Sequence, residues 1–196
     1  QKAKEVGDYQ KAIEIWKQIL SFVEMKFGPE HPDTAASLNN LAGLYKTQGL
    51  YDKAEPLYLR ALAIIEATLG SEHLERATSL INLAGLYYKQ GLYDKAEPLY
   101  LRALAIREKA LGTEHPDTAT SLRSLALLYH KQGLYSKAKP LYKRTLAMRE
   151  KWLDPEHPGI AFSLNELALL YSDQGLYSKA ESLHTRALAI VEKALG

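Results

Sequence analysis

The sequence contains no cysteine, which excludes disulfides, thiolate metal sites and cysteine nucleophiles and is compatible with a reducing compartment. Cytoplasm is the expected location. An excess of either charge is also missing: 25 basic against 23 acidic residues leave a net charge of +2, too little to attract nucleic acid or a membrane by bulk electrostatics. Charge can act only through local placement. No apolar run approaches the ~20 residues that a membrane-spanning helix needs, and no signal-peptide pattern opens the sequence at Gln1. Glycine-rich phosphate loops, His-Glu-x-x-His and Gly-x-Ser-x-Gly are absent as well. No enzymatic activity, cofactor or small-molecule substrate is therefore expected.

What the chain does have is a period. Gly7, Gly49, Gly91, Gly133 and Gly175 recur every 42 residues, four of them inside Gln-Gly-Leu-Tyr. Residues 41–70 and 83–112 differ at five positions only, so each unit must do the same structural job. Leu38, Leu41, Ala42 and Tyr45 follow an i, i+3, i+4, i+7 rhythm that Gly49 interrupts, which predicts a first helix, A. The rhythm restarts with Ala54, Leu57, Tyr58, Ala61, Leu62 and Ile65 and stops at Gly70, a C-cap glycine, which predicts a longer helix, B. Asp52, Asp94, Ser136 and Ser178 are expected to cap the B helices. Pro56, Pro98 and Pro140 fall just inside them and read as structural.

His-Pro-Asp-Thr at 31–34 and 115–118 opens an A helix with proline near the first position and a carboxylate in the first turn. The second repeat has His73-Leu74-Glu75-Arg76 instead, so its A helix is expected to start differently. The A helices are placed at 33–47, 75–89, 117–131 and 159–173. The expected division is a partial repeat at 1–32, then repeats at 33–74, 75–116, 117–158 and 159–196. Residues 1–6 read as the tail of an A helix, and the chain is expected to be part of a longer protein. Ala54, Ala96, Ala138 and Ala180 are expected at close A–B crossings. Leu183, Leu188 and Val191 on the last B helix are expected to be exposed and to allow self-association.

In the first full unit Leu41, Ala42, Tyr45, Gly49, Tyr51, Ala54, Tyr58 and Ala61 resemble the tetratricopeptide pattern of small and aromatic positions. The usual repeat has 34 residues and a proline near its end. Here B runs on through Arg-Glu-Lys-Ala-Leu-Gly (107–112) into Glu-His-Pro-Asp. That longer form resembles the kinesin light chain repeats, with Ser-Leu-Asn-Asn-Leu-Ala at 37–42 and Arg-Ala-Leu-Ala-Ile-Arg-Glu-Lys at 102–109 as the telling stretches. The resemblance implies an all-α, right-handed superhelical solenoid of antiparallel helix pairs, with A helices lining the concave side. It also implies cargo-adaptor-like recognition of short peptides, some with an aromatic residue flanked by acidic ones. Similar arrays occur as sensor segments of multidomain bacterial signalling proteins, a setting that the near-identity of these units resembles.

Helix geometry points to the same face independently. At roughly 100° per residue, the arc of A opposite its packed side holds Ala36, Asn39, Asn40, Gly43, Lys46 and Thr47. Later repeats place there Thr78, Ile81, Asn82, Gly85, Tyr88 and Lys89, then Thr120, Arg123, Ser124, Leu127, His130 and Lys131, then Phe162, Asn165, Glu166, Leu169, Ser172 and Asp173. Asn39, Asn40, Asn82 and Asn165 can both donate to and accept from a peptide backbone, with an inter-repeat hydrogen bond as the alternative. Lys46, Lys89, Arg123, His130 and Lys131 supply positive charge, and Leu127 and Leu169 apolar surface, with Tyr88 as the one aromatic ring of the tyrosine set on this arc. The expected partner is an acidic peptide with an apolar anchor, and Arg123 is expected to grip a carboxylate through two hydrogen bonds.

Other recurring residues read as structural. His31, His73, His115 and His157 stand one per loop, without the clustering that zinc needs, so no metal is expected and turn packing is their expected role. His184 replaces the tyrosine of Tyr58, Tyr100 and Tyr142, which predicts an inter-helix contact. Those tyrosines, with Tyr45, Tyr87, Tyr129 and Tyr171, sit at packing positions, which disfavours base stacking and nucleic acid as a partner. The competing function is a structural spacer, sensor or self-association segment of a larger signalling protein.

Overall fold

The structure, a computed structural model, describes residues 2–195, with side chains for residues 8–194. Among the described residues there are nine helices and no strand: α1 (Lys2–Phe27), α2 (Pro32–Thr47), α3 (Tyr51–Leu69), α4 (Leu74–Lys89), α5 (Tyr93–Leu111), α6 (Pro116–Lys131), α7 (Tyr135–Trp152), α8 (Pro158–Asp173) and α9 (Tyr177–Leu195). The chain is thus of the all-α repeat class that the 42-residue period implies. None of the described helices is long and apolar enough to cross a membrane. The helices fall into two compact units, residues 1–106 and 107–196, divided within α5.

The four A helices α2, α4, α6 and α8 each begin one residue before the expected position and end as expected. Their shared starting device is a histidine N-cap. Nδ1 of His31, His73, His115 and His157 accepts from the backbone N–H two residues on, of Asp33, Glu75, Asp117 and Gly159, at 2.9–3.2 Å. A side-chain acceptor there satisfies one of the helix's free N–H groups. The loop histidines therefore cap rather than merely pack. The second repeat does not start differently, because the cap needs His73 and not the proline that follows elsewhere. Its odd residue, Arg76, instead donates Nε to Glu66 Oε1 at 2.6 Å.

Each A helix ends in a Schellman motif. Gly49, at φ +74, donates its N–H to Lys46 O at 3.0 Å, and Leu50 N–H reaches Tyr45 O at 2.9 Å. Leu50 O then accepts from Lys53 and Ala54, both at 3.1 Å, and so opens α3. One leucine closes A and opens B, which leaves no room for a separate side-chain cap. Asp52 and Ser136 are accordingly not caps: α3 and α7 start from Leu50 and Leu134 with no side-chain capping bond. At the N-terminal end the expected A-helix tail is not a separate element, since α1 runs unbroken through Gly7. Asp8 stands there in place of the apolar leucine that the motif uses. Residue 1 of that tail lies outside the described residues.

In unit 1, Ala35 and Leu38 of α2 pack with Ala61, Ile64 and Ile65 of α3, and Ala77 and Leu80 of α4 with Ala103 and Ile106 of α5. Unit 2 buries Leu122, Leu125, Leu128, Tyr142, Met148, Ile160 and Leu164. Ala54, Ala96, Ala138 and Ala180 are all buried, as close crossings require. This packing turns one arc of each A helix inward and leaves the opposite arc on the surface.

Candidate protein-interaction site

In unit 1 the open arcs belong to α2 and α4, which touch directly. Asn39 of α2 donates Nδ2–H to Ser79 Oγ of α4 at 3.1 Å, so this asparagine serves the inter-repeat bond, while its buried Oδ1 has no partner. Asn40 and Asn82 keep free donors and acceptors among the described residues. They line a depression of about 420 Å³ together with Trp16, Gly43, Lys46 and Tyr58. Lys46 is half-buried, with Nζ 5.7 Å from the centre of the Tyr58 ring. No described carboxylate pairs with it. Burial first, and the Lys89 ammonium second, hold its pKa below the ordinary lysine value. Lys89 is exposed and also lacks an ion-pair partner among the described residues. Tyr88 is half-buried and stacks at a tilt on Tyr93, centroids 5.9 Å apart.

Unit 2 has a different face. A cavity of about 820 Å³ is lined by Leu127, His130 and Lys131 of α6, Tyr135 and Tyr142 of α7, and Phe162, Asn165, Glu166, Leu169 and Asp173 of α8. Phe162 and Leu169 are about half exposed, at 48% and 53%. Arg123 is not available to grip a ligand carboxylate. Its Nε donates to Glu166 Oε1 and Oε2 at 2.9 and 2.8 Å, its Nη2 lies 2.8 Å from Oε1, and it stacks on Phe162 at 4.6 Å. Glu166, placed by periodicity on the open arc, is buried in this pair. A carboxylate that charged is retained in a low-dielectric site only with such a partner.

His130 is engaged too. Its Nε2 lies 2.8 Å from Asp173 Oδ2 and its Nδ1 3.4 Å from Tyr142 Oη. Both ring nitrogens are thus occupied by groups of the chain itself, which leaves neither for a ligand. Asn165 Oδ1 accepts from His184 at 2.9 Å, which gives His184 the inter-helix contact expected of it. Lys131 alone among the unit 2 candidates is a cation without a counter-ion among the described residues. Leu127 and Leu169 supply apolar wall, as expected.

The structure thus brings Asn39, Asn40, Lys46 and Asn82 together in unit 1, and Leu127, His130, Lys131, Asn165 and Leu169 together in unit 2. Sequence reasoning missed the partners that engage Arg123 and His130. A signal was present: both pairs are 43 residues apart, one more than the period, the separation that faces consecutive A helices across their open arcs. On the last helix, Leu188 and Val191 are exposed as expected and Leu183 is half-buried.

Comparison with known proteins gives concordant results. The tetratricopeptide repeat profile matches residues 3–67, 38–108, 75–151 and 140–193. No curated protein matches the chain. A solved structure of nearly identical TPR-like repeats from a kinesin light chain-like protein of Podosopora anserina is 32% identical over 98% of this chain and 92% of its own, with a TM-score of 0.80. BtubC (BKLC) from P. vanneervenii is 27% identical over 98% of this chain and 77% of its own, with a TM-score of 0.85. MamA, at 21% identity over 99% of this chain and 95% of its own and a TM-score of 0.65, shares the fold.

Proposed function

The chain belongs to the tetratricopeptide repeat family, and from that premise we propose that its open A-helix faces bind an acidic peptide segment with an apolar anchor. The tetratricopeptide repeat fold is a general protein–protein interaction scaffold, and proteins of this kind are typically non-enzymatic. The observation that carries the finer reading is the uncompensated pair Lys46 and Lys89 in unit 1. A half-buried ammonium that loses hydration without a counter-ion is destabilised, and a ligand carboxylate would offset that loss. Asn40 and Asn82 stand beside it with donors and acceptors for an extended backbone. Unit 2 by itself offers a cavity walled by Leu127, Phe162 and Leu169, with Lys131 on its lining, which suits an apolar side chain next to an acidic one. The similarity to kinesin light chain repeats supports a cargo-adaptor-like role, which we place in the cytoplasm, with no cofactor and no small-molecule substrate.

Selection of random peptides displayed on phage against the chain tests this reading. Enrichment of Asp and Glu around one large apolar residue is the expected result. Basic consensus sequences, or no enrichment, would overturn it. The exposed Leu188 and Val191 of α9 favour a second reading, self-association, and sedimentation over a dilution series would then show a falling mass. A constant monomer mass would dispose of it.

A further inference from the structure

The two units differ beneath their open arcs. Unit 1 carries Gly43 and Gly85 where unit 2 carries Leu127 and Leu169. A Cβ at Gly43 would stand 3.6 Å from Tyr58 Oη, and one at Gly85 would stand 3.6 Å from both Lys46 Nζ and Tyr100 Oη. Those are ordinary van der Waals distances, so packing does not require glycine at either place, and glycine is disfavoured in a helix interior. What the glycines do is clear a path from the surface to the hydroxyls of two B-helix tyrosines.

Those hydroxyls are unusual. Tyr58 and Tyr100 are only 1% and 5% exposed, yet neither hydroxyl hydrogen-bonds to another described residue. The rings are buried, but the two hydroxyl oxygens are not among the buried atoms that lack a partner, so each keeps access to solvent at its tip, as tyrosine hydroxyls that lack a protein partner do. Their unit 2 counterpart, Tyr142, has His130 Nδ1 at 3.4 Å, and Tyr87 donates to Glu55 at 2.7 Å. Burial raises the pKa of Tyr58 and of Tyr100 to about 12, so both remain protonated donors at physiological pH. Lys46, beside them, adds a third donor and a positive charge. Tyr58 Oη thus stands beside Gly43, and Tyr100 Oη and Lys46 Nζ stand together beside Gly85, three donors of which none is hydrogen-bonded to a described residue.

We propose that the hydroxyls of Tyr58 and Tyr100 and the ammonium of Lys46 form a seat for a carboxylate, reached across Gly43 and Gly85. The proposal rests on the acidic-peptide reading and names the residues that would receive the acidic group. It gives two tyrosines that periodicity assigns to packing a second role, through the one polar atom that packing leaves over.

The test is NMR of the chain labelled with 13C at tyrosine Cζ, titrated with three probes. These are N-acetyl hexaglutamate amide, N-acetyl hexaglutamine with a free C-terminal carboxylate, and N-acetyl hexaglutamine amide. The Tyr58 and Tyr100 resonances should move with a carboxylate-bearing probe and stay still with the neutral amide. Movement with the first probe identifies a side-chain carboxylate as occupant, and movement with the second alone identifies a chain terminus. The double variant Tyr58→Phe and Tyr100→Phe keeps both rings in the core and should bind the active probe about tenfold or more weakly, since each hydroxyl would bond to a charged group. Gly85→Leu, which imitates Leu127, should block the seat to the same extent. If hexaglutamate binds the double variant as tightly as the parent chain and the two resonances do not move, the seat is wrong while the acidic-peptide reading stands. If neither carboxylate probe nor any acidic peptide binds, both fall.

Discussion

At the slot formed by residues 43 apart on consecutive A helices, unit 2 sets His130 opposite Asp173 at 2.8 Å, whereas unit 1 sets Lys46 opposite Lys89. A related contrast appears about two turns earlier on the first helix of each pair. Arg123 meets Glu166 in unit 2, while in unit 1 Asn39 meets Ser79. Beneath the arcs, Gly43 and Gly85 in unit 1 stand beside the hydroxyls of Tyr58 and Tyr100, whereas unit 2 has Leu127 and Leu169 there, with Tyr142 bonded to His130 and His184 in place of a second tyrosine. The capping histidines and the Gly-Leu turns are common to both units, so the framework is held constant while the chemistry of the exposed arc changes. Apart from Lys131, the unit 2 arc pairs its polar groups internally, and the unit 1 arc leaves Lys46 and Lys89 without a counter-ion among the described residues.

The contrast can be broken most severely in unit 2. Glu166→Gln removes the counter-ion of a half-buried guanidinium and should lower stability by about 2–3 kcal/mol in a denaturant melt, because a charge stripped of its buried partner is costly. No loss would mean that Arg123 reaches solvent freely and that the pair is ornamental. Next in size is Lys89→Asp, which gives unit 1 the charge arrangement of unit 2. Lys46 then has an internal partner, and a selected acidic peptide should bind about tenfold more weakly, a change of about 1.4 kcal/mol. Lys143→Glu on exposed α7 surface changes the net charge equally and should leave affinity within error. Equal losses from the two would place the site on the wrong face.

A smaller effect tests the shared framework. His73→Ala in unit 1 and His157→Ala in unit 2 should each cost about 1 kcal/mol, the usual value of a side-chain N-cap, and matching thermal shifts would show one capping device serving both units. The smallest effect is in pH. Lys46 has a folded-state pKa below 10.5, from burial and then from Lys89. The fold therefore disfavours its protonated form, and the stability associated with it is fully present above 10.5 and lost as pH falls through the folded value. Acidic-peptide affinity should run the other way and weaken as pH rises through that window. An NMR titration of the Lys46 Cε resonance, with and without peptide, checks both signs, and Lys89→Asp should move the midpoint upward.

Much of the framework is legible in the residue order because its causes are local. Gly49 and Leu50 end α2 through bonds to residues three and five positions back, respectively, and Leu41, Ala42 and Tyr45 are buried because they share one side of a helix. Even the misassigned caps were local errors: Asp52 and Ser136 are standard capping types, but Leu50 and Leu134 already occupy the junction. The histidine caps escaped because histidine is not among the common capping residues. Arg123 failed for a different reason. Its free charge was inferred from its own helix, and the carboxylate that cancels it sits on another helix one period and one residue away.

The sequence by itself determined the helix starts and stops, the 42-residue period and the buried arcs, since each depends on backbone dihedrals and on a 3.6-residue rhythm within a few neighbours. It also excluded thiol chemistry outright. Only the tertiary structure decided which cations remain uncompensated and which tyrosine hydroxyls reach the surface. Charge pairing and hydrogen bonding act over a few ångströms in space, and here the atoms that settle them belong to residues some forty positions apart.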